Sequence, residues 1–198
     1  MPKQTFFNLA AEKRTRILDA AIAELGSKPF DKVNIADIIE KAGIPRGSFY
    51  QYFVDLKDLY RYIFKLIAEK KLVYLRQVIA GREDLDFFQT IRELYAAGLR
   101  FAAENPRLAA VGNYYYREDR SFKQEMFPDM EEQGRKFFAM LLARGQARGE
   151  VDPKIDLKLA SALLYYLTND ITGYYLEEAQ EMTELLSGKG DNYLELVD

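Results

Sequence analysis

The 198-residue sequence contains no cysteine and no histidine. Without cysteine there are no disulfides, no CxxC redox pair and no thiolate nucleophile. A chain free of disulfides fits a reducing compartment, and the cytoplasm is the expected location. Without histidine there is no Ser-His-Asp triad, no imidazole proton shuttle and little basis for a zinc site. The sequence also lacks a Gly-rich phosphate loop and any run with metal-ligand spacing. No catalytic residue, no metal and no cofactor is therefore expected. An enzyme of this composition would have to work with acids such as Glu104 or Asp170. No uncharged apolar run approaches the roughly 20 residues of a membrane span. Met1–Leu9 carries Lys3 and Gln4 but no apolar stretch of the signal-peptide kind. No membrane partner is expected.

What is present is the composition of a folded chain, with 48 % hydrophobic and 30 % charged residues. The net charge of −3 is unevenly placed: residues 1–60 hold nine Lys/Arg against eight Asp/Glu, so the acidic excess lies beyond residue 60. Lys3, Lys13, Arg14 and Arg16 face one acid, Glu12, in the first 16 residues. A locally basic face, not a basic protein, is what DNA requires.

The apolar pattern is helical nearly throughout, with no alternating β-branched run, which makes the class all-α. Leu18, Ala21, Ile22 and Leu25 at i, i+3, i+4, i+7 predict a first helix over 9–26, stopped by Gly26 and Pro29. Asn34 is placed to cap a second helix carrying Ile35, Ile38, Ile39 and Ala42, ended by Gly43. Pro45 suits the first turn of a short third helix with Phe49 and Phe53 on its inner face. Asp55 is placed to cap a fourth helix to about residue 80. Beyond Gly81, a helix marked by Phe88, Ile91, Tyr95, Leu99 and Ala102 breaks at Asn105-Pro106. Further helices are expected from there to about Tyr116, from Pro128 to Gly149, and over 156–186. Asp191 is expected to cap a last one whose apolar face begins with Tyr193, Leu194 and Val197.

Two short helices joined by a glycine turn behind a longer one make a helix-turn-helix, whose second helix enters the major groove. With Phe49 and Phe53 inward, Arg46, Gly47, Ser48, Tyr50, Gln51 and Tyr52 point outward or sit at the rim. Arg46 has the donors for guanine O6 and N7. Ser48 and Gln51 suit reading or positioning, and Tyr50 and Tyr52 suit phosphates. Gly47 is a poor helix former whose missing side chain permits close backbone approach. The helix start at Asn34 offers free N–H groups to another phosphate. Pro45 completes the DNA-binding set expected of the motif.

Residues 14–64, and above all Gly43-Ile-Pro-Arg-Gly-Ser-Phe-Tyr-Gln-Tyr-Phe53 followed by Lys57-Asp-Leu-Tyr60, resemble the DNA-binding domain of the tetracycline-repressor (TetR) family. The resemblance implies an N-terminal helix-turn-helix domain, 1–55, and a larger helical domain, 56–198, that binds a ligand and dimerises. It also implies a homodimer on a near-palindromic double-stranded DNA operator, released when a small-molecule effector fills the C-terminal pocket. Two positions depart from the family pattern: Ala36 stands where members often carry Arg, and Leu56 where they usually carry Lys. Lys57, one residue away, is the DNA-binding cation that the resemblance implies there, although one residue turns a helical side chain by about 100°.

The C-terminal half is rich in aromatic residues. A core is the plain reading, but tyrosine hydroxyls need partners when buried and suit a partly wet pocket. Tyr95, Phe101, Tyr115, Phe127, Phe138, Tyr165 and Tyr166 are the expected lining, with Asn169 as polar anchor. A pocket that accepts a protein partner instead of a small molecule is the alternative. The helix over 156–186 is apolar on more than one face and needs cover, which a second copy would supply.

Overall fold

The computed structural model describes residues 1–80, 82 and 84–178; the side chains at 79 and 169–178 lie outside that description. The described residues form α-helices and no strand. In chain order these are α1 (Gln4–Phe7), α2 (Ala11–Leu25), α3 (Ile35–Ala42), α4 (Arg46–Tyr52), α5 (Leu56–Ile79), α6 (Phe87–Glu104), α7 (Pro106–Arg117), α8 (Arg120–Met126), α9 (Met130–Ala147) and α10 (Leu157–Glu178), with a 3₁₀ turn at Phe30–Lys32. The expected helix boundaries at Asp191 and the face of Tyr193, Leu194 and Val197 lie outside the described residues. No helix among the described residues is long and apolar enough to cross a membrane.

The chain forms two compact units. The first comprises residues 1–70 and 105–126, and the second the described residues of 71–104 and 127–178. Each of α5's two ends therefore belongs to a different unit.

In the first unit Phe6, Ile17, Leu25, Ile38, Phe49, Phe53, Leu59 and Ile63 are fully buried. Side chains of this size each contribute about 1.5–3 kcal/mol on burial. The inward face of α2 is Ile17, Ala20, Ala21, Glu24 and Leu25, not the row through Leu18 and Ile22, which are half-buried. The rotation brings Glu24 inside. Its carboxylate is ion-paired with Lys28 at 2.5 Å and with Lys41 of α3, while Lys28 also reaches Asp37 at 3.1 Å. Burial pushes the Glu24 carboxyl up, but the two lysines more than cancel that and hold it below its ordinary value.

The second unit is centred on Phe87, Ile91, Leu141, Leu142 and Val151, with Leu94, Phe137, Leu157, Ala160 and Leu164 packed around them. At the start of α6 the inward aromatic is Phe87, not Phe88, which is 47 % exposed. The adjacent pair gives two equally apolar helical registers, and packing on Leu141 and Val151 selects one. At the start of α6, Glu150 accepts a hydrogen bond from the Phe87 amide (2.8 Å) and pairs with Arg148 (2.8 Å). Gly134 of α9 lies under the Tyr165 ring of α10, where any β-carbon would overlap that ring.

Candidate nucleic-acid interface

The turn between α3 and α4 follows from its residues. The Asn34 side chain accepts from the Ala36 amide at 2.9 Å and so caps α3. Gly43 ends α3 at φ 61°, a left-handed conformation that costs a residue with a β-carbon about 1 kcal/mol. The Ile44 amide then donates back to the Ile39 carbonyl at 3.0 Å, and the Ile44 side chain is buried. Pro45 stands immediately before α4, not within it, with an extended backbone.

Phe49 and Phe53 are fully buried, which fixes the rotation of α4. Arg46, Gly47, Tyr50 and Gln51 are all exposed. Arg46–Tyr50 and Gly47–Gln51 are i, i+4 pairs, so the four make two adjacent rows on the open side of the helix. A β-carbon added at Gly47 would meet nothing within 4 Å. No neighbour among the described residues therefore requires a glycine there. Ser48 is half-buried at the edge of these rows. Tyr52 is not among them. It is 5 % exposed, with its ring tilted against Phe6 (6.3 Å) and the Lys13 ammonium 5.8 Å above it. As the inward neighbour of Phe49 and Phe53 it belongs to the core of the first unit.

The supporting cations are partly engaged elsewhere. Lys57, in the first turn of α5, is ion-paired with Glu125 of α8. Arg14 donates to the carbonyls of Phe7 (2.5 Å) and Leu9 (3.1 Å). Ala36 is exposed at the start of α3 and offers only backbone there.

Sequence reasoning missed α1 and what it does to α4. Lys3 and Thr5 bond to the carbonyls at the C-terminal end of α4. A single helical turn is too short to leave a period in the sequence. Its one signal is the apolar pair Phe6-Phe7 in an otherwise polar stretch.

The expected pocket residues divide between the units. In the second unit, Tyr95 of α6 hydrogen-bonds Thr168 of α10, and Tyr166 donates to Glu131 of α9 at 2.5 Å. Phe101 is buried edge-on to Tyr74 (5.6 Å), and Phe138 lies beside Phe137 against the core cluster. Tyr165 covers Gly134, and Phe127 is half-buried. Tyr115 belongs instead to the first unit, buried against Phe64 at 4.8 Å with the Lys123 ammonium 5.7 Å above its ring. Asn169 is in α10, but its side chain lies outside the described residues.

Residues 17–63 match the family model of bacterial regulatory proteins, tetR family. YvdT, an uncharacterised HTH-type transcriptional regulator of Bacillus subtilis, is 39 % identical over 93 residues, covering 46 % of this chain and 43 % of its own. The chain spans about half the length of such curated relatives. Among solved structures, FadR of Bacillus subtilis in complex with stearoyl-CoA superposes with a TM-score of 0.69, covering 92 % of this chain and 96 % of FadR, at 17 % identity, a likeness of fold alone. A TetR family transcriptional regulator from Chloroflexus aurantiacus is 36 % identical, with a TM-score of 0.73, over 98 % of this chain and 89 % of its own. An all-helical chain with a glycine-turned helix-turn-helix near its N-terminus, matched over nearly its whole length by such a regulator, belongs to the TetR family of transcriptional regulators.

Proposed function

We propose that this regulator is a repressor that binds a near-palindromic operator as a homodimer and lets go when a hydrophobic or amphipathic small molecule occupies its C-terminal half. The observation that carries the reading is the open face of α4. Arg46, Gly47, Tyr50 and Gln51 stand in two rows above a fully buried Phe49–Phe53 pair. That is a helix presenting a base-reading cation, an amide and a phenol past a position with no side chain. Asn34, Pro45, Ser48 and Lys57 surround it as backbone-positioning residues. Repression is the simplest output of such a reader, since occupancy of the operator is enough and no surface for a second protein is needed.

Dimerisation is supported by α10. Leu159, Leu163 and Leu167 recur at i, i+4, i+8 and are 62 %, 52 % and 52 % exposed, with Ile155 and Tyr166 beside them. A row of this kind needs cover, and a two-fold copy of itself is the closed solution. Two reading helices one helical turn of DNA apart, about 34 Å, then fit successive major grooves.

The effector site is proposed among Tyr95, Phe101, Phe138, Tyr165 and Tyr166 of α6, α9 and α10, whose rings offer apolar area and whose hydroxyls offer hydrogen bonds. FadR, of like fold, was solved with stearoyl-CoA, which favours an apolar effector. The effector must bind the DNA-incompetent arrangement better than the competent one, or no equilibrium shifts. α5, with residues in both units, is the covalent route for that bias. Titration against duplexes enriched from a random library by the protein itself, at two salt concentrations, tests the reading. Enrichment of a near-palindrome bound by two protomers supports it, and failure to enrich any sequence overturns it. The salt slope counts the phosphate contacts.

A further inference from the structure

α4 is a seven-residue helix, far below the length at which a helix holds itself together in water. Its last four carbonyls lack partners within the helix by construction. Each nonetheless has one. The Phe49 carbonyl accepts from the Phe53 amide at 2.9 Å. The other three are met by the segment before α2. Lys3 Nζ donates to the Tyr50 carbonyl at 2.7 Å, the Thr5 hydroxyl donates to the Gln51 carbonyl, and the Lys3 amide donates to the Tyr52 carbonyl at 2.8 Å. Phe6 pins the segment down. It is fully buried, 5.0 Å from the Phe53 ring and 5.7 Å from the Tyr62 ring of α5. The Lys3 ammonium at the C-terminal end of α4 also has the sign that the helix dipole favours. This segment precedes the residues matched by the family model, which begin at 17.

We propose that Lys3 and Thr5 are positioning residues of the DNA-reading helix: they fasten its C-terminal carbonyls and so fix the angle at which Arg46, Tyr50 and Gln51 are presented. This rests on the reading of α4 given above. Lys3 and Thr5 act through α4 and are not themselves readers of bases. With three of four terminal carbonyls held by this segment, loosening it frays the last turn, which carries Tyr50 and Gln51. A frayed helix still meets phosphates but no longer distinguishes base edges. Discrimination therefore falls while nonspecific binding stays.

The test uses the full chain in three forms: wild type, the double variant Lys3→Ala/Thr5→Ala, and the conservative double variant Lys3→Arg/Thr5→Ser. Phe6 is left in place so that the core is retained. The probes are a duplex enriched from a random library by the wild type and a scrambled duplex of the same composition. Hydrogen exchange of the amides of residues 50–53 is followed in the DNA-free protein. The alanine variant is expected to lose roughly fivefold to tenfold in the ratio of affinities for the two duplexes, the low end of what two hydrogen bonds contribute, since both are exposed. It should also exchange faster at residues 50–53, and the conservative variant should recover both. An unchanged ratio or unchanged exchange overturns the proposal. So does an equal loss on both duplexes with a shallower salt slope, which marks Lys3 as a plain phosphate contact. A wild type that enriches no duplex overturns the DNA reading itself. Exchange at residues 50–53, read without DNA, then still decides whether the segment fastens α4.

Discussion

Glu125, near the end of α8, forms an ion pair with Lys57, in the first turn of α5, 68 residues away along the chain. Arg61, one turn further along α5, donates to the carbonyls of Met126 (3.3 Å) and Glu125 (3.4 Å), so the end of α8 is held to the start of α5 at three points. Lys57 is the cation nearest to the Leu56 position, where the family pattern has lysine. A carboxylate already paired with it competes with any phosphate for the same charge.

Glu125→Gln should therefore strengthen operator binding. Releasing one lysine adds up to one phosphate contact, which steepens the dependence of log affinity on log salt by about 0.9. Lys57→Gln should weaken binding on all sequences alike and make the slope shallower. Fluorescence anisotropy at four salt concentrations measures both. A wild-type slope in both variants means that Lys57 does not reach DNA, and a wild-type slope in Glu125→Gln alone means that Lys57 already leaves Glu125 for the phosphate.

Arg46→Ala should cost about 1–3 kcal/mol on the selected duplex and relax preference at one base pair of each half-site. Arg46 is exposed on the open face of α4, so its removal leaves the core intact and the melting temperature close to wild type. Repeating the selection with the variant shows which base pair loses its preference; retention of every preference means that another residue reads.

Gly47→Ala separates stability from binding. The added methyl meets nothing within 4 Å among the described residues, and alanine is favoured over glycine in a helix by about 1 kcal/mol. The folded protein should become more stable by a few tenths to about 1 kcal/mol, while affinity for DNA falls because the methyl occupies the space of the approaching duplex. Urea unfolding and anisotropy on one preparation give the two signs; an affinity equal to wild type shows that the α4 backbone stays clear of the DNA at this point.

The helix-turn-helix was legible from sequence because its signals are local: the Asn34 cap, Gly43 in its left-handed place and the Phe49–Phe53 pair all act within a few residues. Helix registers were less so. Phe87 and Phe88 are equally apolar neighbours, and only packing on α9 residues decides between them. Ile17 and Leu18 are likewise equally apolar neighbours, and burial within the first unit selects Ile17. Contacts made across long separations left no pattern: Lys57 with Glu125, Lys3 and Thr5 with the end of α4, and Glu118 accepting from the Phe30 amide at 2.9 Å. With Phe49 and Phe53 as the inward pair, the sequence leaves Tyr52 outward or at the rim, whereas the structure buries it. The missing information was α1, whose Phe6 gives that ring an apolar partner. Tyr115 was grouped with the other C-terminal aromatics by position in the chain, whereas α7 folds with the first unit.

Acid should weaken the first unit through Glu24. Its folded carboxyl binds a proton less readily than the ordinary value of 4.5, because the Lys28 and Lys41 pairs outweigh the opposing effect of burial. The unfolded chain therefore takes up the proton first as the pH falls. The stabilisation is fully present above about pH 4.5 and is lost as the pH drops through the lower folded value. Glu24→Gln removes this dependence, so the stability gap between wild type and variant should be widest at pH 7 and narrow towards pH 3. Urea midpoints at pH 7, 5 and 3.5 check it, and a gap that does not change with pH assigns the wild-type advantage to packing.

Leu163→Lys tests the proposed partner of α10. Leu163 sits between Leu159 and Leu167 in an exposed row, all three more than half open to solvent in the single chain. A lysine there costs the isolated protomer little, since the position is already exposed. In a symmetric dimer it would place two like charges near the two-fold axis and strip apolar area from both copies at once. Light scattering should therefore move from dimer mass to monomer mass, with helicity by circular dichroism unchanged. Operator affinity should collapse by far more than twofold, because a single reading helix loses the benefit of the second half-site. A variant that remains dimeric places the interface elsewhere, and a wild type that is monomeric at micromolar concentration removes the two-fold model of operator binding.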